Sequence, residues 1–195
     1  MQHSASLRTE MSIEIRRLSK DEIGSLSDRI TELLIESDAD FVPPLSARAS
    51  TTDKNLKSAG LGAGSVRPYF LRMAEQSILG AFLFGELVGV VSYIENYSSD
   101  VVLPEIAGNI YISTLVLSKS SRGQGLTRKM YNHLFFELYP ERNIYTRTWS
   151  TNAAHIRILS SFGFSEFSRI ISDRGENIDT VYFKKNAGAP VKNKI

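Results

Sequence analysis

The chain has 195 residues, of which 42% are hydrophobic, and this is enough for one globular domain with a substantial core. Its formal net charge at pH 7 is only +2, and the basic residues are scattered along the chain, so neither feature indicates a nucleic-acid partner. The absence of cysteine excludes disulfides, thiolate metal sites and a cysteine nucleophile.

The two ends of the chain lack features of a targeting or membrane segment. No apolar run approaches the ~20 residues that a membrane-spanning helix needs. Residues 1–11 are polar and contain no apolar signal-peptide core. We therefore expect a cytoplasmic protein with no membrane partner, with a disordered lead-in at 1–11, a single domain at 12–185 and a loose tail at 186–195.

The first third of the chain begins with regular patterns and then loses them. Alternating apolar residues over 13–18 predict a strand, and Ser19 with Glu22 forms a capping box that starts a helix. The apolar face of that helix carries Ile23, Leu26, Ile30, Leu33 and Leu34. From residue 38 to 67 no periodicity is visible, which favours either a functional segment or a disordered insertion. A short helix is predicted over 68–76, where a proline suits the first turn.

A hairpin and a central strand follow. Apolar runs at 78–84 and 87–94 flank Gly85 and Glu86, which predict a two-residue turn. A polar crossing leads to a strand that carries Ile110, Ile112, Leu115, Val116 and Leu117. A helix is then predicted over 126–138, with an apolar face of Leu126, Met130, Leu134, Phe135 and Leu138 and a stop at Pro140.

The stretch Arg122-Gly123-Gln124-Gly125-Leu126-Thr127 lies between that strand and that helix. A helix start leaves backbone N–H groups without intrahelical partners and carries partial positive charge. Glycines let phosphates approach those groups, and Arg122 and Arg128 add positive charge on either side. The stretch therefore indicates a binding site for a pyrophosphate.

The last third closes the sheet. A strand is predicted over 143–149, and a helix capped by Ser150, Thr151 or Asn152 ends at Gly163. Residues 165–171 and 180–184 are expected to pair as two final strands.

Two of these stretches resemble motifs of the GCN5-related N-acetyltransferase (GNAT) superfamily. Arg122 and Gly125 match its pyrophosphate pattern, Arg/Gln-x-x-Gly-x-Gly/Ala, while Thr127 stands where Gly or Ala is usual. Asn152, Gly163 and Phe164 match a second, downstream segment, in which Leu159 replaces the usual tyrosine. The resemblance implies an α/β (α+β) fold: a mixed, mostly antiparallel twisted sheet of about six to seven strands, flanked by about four helices.

The resemblance also implies an activity, the direct transfer of an acetyl group from acetyl-CoA to an amine in a ternary complex, without a metal. It assigns coenzyme binding to Leu115, Val116, Leu117, Arg122, Gly123, Gln124, Gly125, Leu126, Thr127, Arg128 and Asn152. Tyr111 and Glu95 are the expected bases, and Phe41, Arg48 and Tyr145 are expected to bind the acceptor. The implied partner is a small-molecule or peptide amine, bound by a monomer or a homodimer. The alternative is a domain of this fold that binds acyl-CoA without transferring it.

Overall fold

A seven-stranded mixed sheet organises the computed structural model, which describes residues 12–54, 56, 64–105 and 108–188. The strands are β1 (Ile13–Arg17), β2 (Ser77–Leu83), β3 (Glu86–Glu95), β4 (Asn109–Leu117), β5 (Asn143–Trp149), β6 (Ser165–Ile170) and β7 (Thr180–Lys185). Their order across the sheet is β1-β2-β3-β4-β5-β7-β6. Only the central pair, β4 with β5, is parallel, so the predicted mixed and mostly antiparallel sheet is confirmed. The predicted lead-in and residues 189–195 of the predicted tail lie outside the described residues.

Five α-helices within the described residues flank the sheet. They are α1 (Lys20–Ser25), α2 (Ser27–Ser37), α3 (Arg67–Ala74), α4 (Leu126–Asn132) and α5 (Ala153–Ser161). The capping box at Ser19 and Glu22 is present, but the single helix predicted after it is divided at Leu26. None of the described helices combines the length and the apolar content that crossing a membrane requires.

Apolar side chains pack on both faces of the sheet. On one face, α4, the π-helical segment His133–Leu138 that continues it, and α5 bury Met130, Phe135 and Leu159 against β3, β4 and β5. On the other face, α2 and α3 bury Leu33 and Tyr69. The two layers of helices thus hold the sheet between them, and its central strands are buried on both sides.

Two local predictions differ from the structure, one in the position of a turn and one in the direction of a helix face. The β2–β3 turn consists of Phe84 and Gly85, with φ of 52° and 83°, so the predicted turn at Gly85 and Glu86 is one residue too late. The helix over 126–138 changes to a π-helix at His133, whose wider turn rotates the face that follows. Leu138 is consequently 36% exposed rather than part of the core.

Candidate active site

The site begins where β4 and β5 separate. They pair only over Asn109–Ile112 and Asn143–Thr146, and beyond that point residues 113–117 of β4 have no partner on their β5 side. A β-bulge in β4 contributes to this separation of the strands. Ser92 pairs with Thr114 whereas Tyr93 pairs with Ile112, which leaves Ser113 as the extra residue. The gap is a cavity of about 410 Å³, lined on one side by Leu115, Val116 and Leu117.

Open backbone on β4 gives this cavity its first chemical property. Strand N–H and C=O groups without a ladder partner remain available for hydrogen bonds to a ligand. A ligand with amide groups along an extended chain can pair with such an edge as a short additional strand would.

The glycine turn lies at one end of the cavity. Gly123 and Gly125 have φ of 76° and 75°, and no atom lies within 4 Å of a Cβ built on either residue. Gly125 is the N-cap of α4 and provides no side chain to satisfy the helix start. Among the hydrogen bonds of the described residues, none uses the backbone N–H groups of residues 123–128. The turn therefore presents free donors and open space, which suit a phosphate group.

Arg122 fixes this turn against the segment that follows α2. Its Nη2 atom lies 2.8 Å from Oδ2 of Asp40 and donates to Ser37 Oγ at 3.3 Å. It also donates to the carbonyl oxygen of Leu117 at 3.4 Å. The guanidinium of Arg128 lies 5.9 Å from the ring centre of Phe162, beside the turn. Both arginines add positive charge near the free N–H groups.

The expected coenzyme residues are brought to one region, although not all of them line the cavity. Those that line it are Leu115, Val116, Leu117, Arg122, Gly123, Thr127 and Asn152. Gln124 and Gly125 belong to the turn and Arg128 to the first turn of α4, and none of the three lines the cavity. The side chain of Leu126 is 1% exposed and packs in the core.

The start of α5 forms another wall. Asn152 caps the helix by accepting from the backbone N–H of His155 at 3.2 Å, and it donates to Thr148 Oγ1 at 3.0 Å. His155 also lines the cavity, and its Nε2 lies 2.8 Å from the hydroxyl of Tyr131. Burial lowers the pKa of His155 to about 4, so its imidazole is neutral at pH 7. Leu159 is fully buried in the core and does not face the cavity.

Aromatic and cationic groups form a further part of the cavity wall. Phe41 and Trp149 line the cavity with their ring centres 5.6 Å apart. Arg48 lies over Phe41 at 5.4 Å, and Arg174 lies over Trp149 at 5.7 Å. Arg147 lines the cavity directly. We refer to Arg48, Arg147 and Arg174 as the arginine cluster.

The residues expected as bases, and Tyr145, lie outside this cavity lining. Tyr111 is 1% exposed, stacks on Tyr97 with ring centres 4.3 Å apart, and has its pKa raised by burial, which keeps its hydroxyl protonated. Glu95 lines a different cavity and pairs with Arg17 at 2.9 Å. Tyr145 is buried and donates to Glu105 at 2.7 Å.

Sequence patterns did not identify Arg147, Arg174 or Trp149 as site residues. Arg147 and Trp149 alternate with Tyr145 along β5, so an arginine within a mostly buried strand was an available indication. Arg174 gave no such indication, because it lies in a polar connection between β6 and β7 and reaches the site only through the fold.

Comparison with known proteins identifies a matching family and several solved structures of similar fold. The model of the acetyltransferase (GNAT) family matches residues 45–164. No curated protein sequence matches the chain.

Three solved structures illustrate the similarity of fold. The yncA protein from Salmonella typhimurium, solved with its cofactor acetyl-CoA, has a TM-score of 0.63 at 16% identity, and 94% of this chain and 98% of that chain are covered. A ribosomal-protein-alanine N-acetyltransferase from Brucella melitensis gives 0.56 at 18% identity, covering 89% and 99%. An N-acetyltransferase from Staphylococcus aureus Mu50 gives 0.58 at 13% identity, covering 90% and 99%. At these identities the likeness concerns the fold.

Proposed function

The protein belongs to the acetyltransferase (GNAT) family, and on that premise we propose that it transfers the acetyl group of acetyl-CoA to the amine of an acceptor bound in the same cavity. The observation that carries the proposal is that one cavity is lined by the glycine turn, by the open edge of β4 and by Phe41 and Trp149. Coenzyme and acceptor can therefore be bound together, as a direct transfer requires. A neighbour of similar fold that was solved with acetyl-CoA supports the choice of cosubstrate.

The residues present fit coenzyme A at three places. The free N–H groups of residues 123–128 and the open space beside Gly123 and Gly125 suit its pyrophosphate. The unpaired edge of β4 over residues 113–117 suits the amide groups of its pantetheine arm. Asn152 and His155 form the wall opposite that edge. The bound cosubstrate supplies an activated acetyl thioester.

This chain then has three tasks in the transfer. It must polarise the thioester carbonyl, for which a backbone N–H on the open edge of β4, near Val116, is sufficient. It must hold the amine in its neutral form, and it must allow the departing thiolate to take up a proton. Leu159 cannot donate that proton, so the proton comes from water or from the attacking amine. His155 also lines the cavity, but its imidazole is neutral at pH 7 and its Nε2 contacts the hydroxyl of Tyr131, so we assign it no proton transfer.

The expected base residues have different prospects. The raised pKa of Tyr111 suits a hydrogen-bond donor better than a base. Glu95 pairs with Arg17 and lines a different cavity, so it could act on an amine only through intervening water. A role of Tyr111 or Glu95 as the general base is therefore a proposal, which substitution of each residue tests.

Two measurements test the proposed function. Acetyl-CoA should raise the melting temperature, whereas an acetyl thioester of N-acetylcysteamine, which lacks the pyrophosphate, should raise it far less. Release of free coenzyme A should then depend on an added amine. Binding without turnover of any amine in a broad panel would favour the non-transferring alternative, and failure of acetyl-CoA to bind would refute both readings.

A further inference from the structure

The arginine cluster gathers three guanidinium groups at the acceptor end of the cavity. Arg48 and Arg174 are only 8% and 6% exposed, and they lie behind the rings of Phe41 and Trp149. Burial and the neighbouring charge of Arg147 lower the pKa of Arg48. Burial, Arg48 and Arg147 lower the pKa of Arg174 to about 9. The three cations are thus close enough to repel one another.

Their hydrogen bonds go to uncharged oxygens. Arg48 donates to the carbonyl of Pro43 from Nε at 3.0 Å and from Nη2 at 2.6 Å. Arg174 donates to the carbonyl of Val42 at 2.6 Å and to the hydroxyl of Thr180 at 2.9 Å. These partners satisfy the N–H groups but leave the positive charges in place.

Carboxylates near the cluster are too few and too distant to balance it. Asp38 and Asp173 attract Arg48 and Arg174 respectively, but Asp38 accepts from Ser46, and Asp173 accepts from Thr180 at 2.5 Å. Within the described part of the chain, no carboxylate lies within 4.0 Å of a cluster nitrogen. Among the described residues, three cations therefore face two carboxylates, an excess of one positive charge.

A purely structural role accounts for two members of the cluster but not for the third. Arg48 and Arg174 hold the carbonyls of Val42 and Pro43 and so fix the loop that carries Phe41. Among the described residues, Arg147 has two long hydrogen bonds, 3.4 Å to the hydroxyl of Tyr182 and 3.5 Å to the carbonyl of Thr51. It also lines the cavity, so its guanidinium is available to a ligand.

We propose that the acceptor is a small amine that also carries one carboxylate, and that Arg147 binds this carboxylate and determines acceptor specificity. The inference rests on the proposed function and specifies its substrate class. A guanidinium matches a carboxylate through two parallel hydrogen bonds, and one carboxylate balances the excess charge. The cavity of about 410 Å³ must also hold the thioester end of the coenzyme, which favours an amino-acid-sized molecule. Acceptors that carry additional positive charge would be repelled.

Trp149 provides a direct measurement, because it is the only tryptophan of the chain and lies in the cavity. We would saturate the protein with coenzyme A, which cannot donate an acetyl group, and titrate free L-amino acids alongside their α-carboxamides while recording tryptophan fluorescence. At least one amino acid should bind roughly ten- to a hundredfold more tightly than its carboxamide, as expected for hydrogen bonds between charged groups.

Substitutions of Arg147 test whether this residue causes the preference for a carboxylate. Arg147→Gln should remove the preference for the carboxylate and leave carboxamide affinity and the acetyl-CoA melting shift unchanged. Arg147→Lys keeps the charge without the planar fork and should retain part of the preference. Arg72→Gln is the matched control, since Arg72 is an exposed arginine paired with Glu75 outside this cavity.

Each other outcome contradicts the proposal. Equal binding of carboxamides, or a preference that survives Arg147→Gln, would show that Arg147 does not recognise a carboxylate. If no amino acid changes the fluorescence while acetyl-CoA still binds, the substrate class is wrong and the proposed function stands. If acetyl-CoA does not bind, the proposed function fails, and the same titration without coenzyme still decides the carboxylate preference.

Discussion

Gly125→Ala is the sharpest test of the glycine turn, because it adds one methyl group where the structure predicts a phosphate. No protein atom lies within 4 Å of the new Cβ, so the side chain itself meets no obstacle in the free protein. The φ of 75° is unfavourable for any residue with a Cβ and should cost about 1–2 kcal/mol of stability. Alanine is preferable to valine here, since a β-branched side chain would add local crowding to this cost.

The expected loss of ligand stabilisation can be estimated separately. Acetyl-CoA at a hundredfold excess over its Kd should stabilise the wild type by about 2.7 kcal/mol. For a chain of this length that corresponds to a rise of roughly 5–10 °C in melting temperature. If the methyl group weakens binding a hundredfold, only about 0.4 kcal/mol remains at the same concentration, or roughly 1–2 °C.

Gly85→Ala is a control with nearly the same backbone cost. Gly85 has φ of 83° and no atom within 4 Å of an added Cβ, but it lies in the β2–β3 hairpin turn. Thermal denaturation without ligand should show a similar loss of stability in both variants. With acetyl-CoA, Gly85→Ala should recover the full rise and Gly125→Ala should not. An equal rise in both variants would refute phosphate binding at the turn.

Three further predictions concern other parts of the cavity. Tyr111→Phe should lower kcat less than tenfold and leave the basic arm of the pH–rate profile unchanged, because burial keeps the hydroxyl protonated; loss of that arm would instead identify a base. Phe41→Ala should raise acceptor KM and leave the Kd of acetyl-CoA within about twofold of the wild-type value; a loss of acetyl-CoA binding, measured by calorimetry, would place the acceptor elsewhere. The pKa of His155 is about 4 in the folded protein against 6.5 for a free imidazole, so the associated stability is present above pH 6.5 and is lost as the pH falls towards 4. Urea denaturation should show a loss of about 2 kcal/mol between pH 7 and pH 5 that His155→Gln lacks, and an equal loss in both proteins would contradict it.

The half of the candidate site proposed for the coenzyme has a local geometry that was predictable, because its determinants are contiguous in sequence. The strand, the glycine turn and the start of α4 occupy one run of residues, and each follows a local rule of apolar periodicity, left-handed backbone or capping. The capping box at Ser19 and Glu22 and the N-cap at Asn152 follow such rules too, and both are present.

The predictions of the β2–β3 turn and of Leu138 were wrong because the tertiary structure outweighed a local preference of the sequence. The β2–β3 register requires Phe84 to adopt φ of 52°, which a bulky side chain rarely does. The sequence prediction started the turn at the glycine, Gly85, and was therefore one residue too late. The change to a π-helix at His133 leaves no sign in the spacing of the apolar residues. The prediction that Leu138 lies in the core was wrong for that reason.

The acceptor half could not be predicted because its parts meet only in the folded chain. Arg48 follows a 3₁₀ turn, Arg147 lies on β5 and Arg174 lies beyond β6, and no sequence spacing connects them. Charge counting along the sequence shows scattered cations, whereas the fold places three of them around one end of one cavity.

Among the described residues, Asp40 is the one carboxylate that lines the cavity, and Arg122 pairs with it at 2.8 Å, so it is not free to act as a base on the amine. The acceptor's carboxylate would balance the one excess charge of the arginine cluster, so the cluster selects the acceptor and adds no net positive charge beside its amine. Loss of the proton from the amine then relies on solvent. The amine could then attack with water as the proton acceptor, and neither Tyr111 nor Glu95 need be ionised at the reacting atoms.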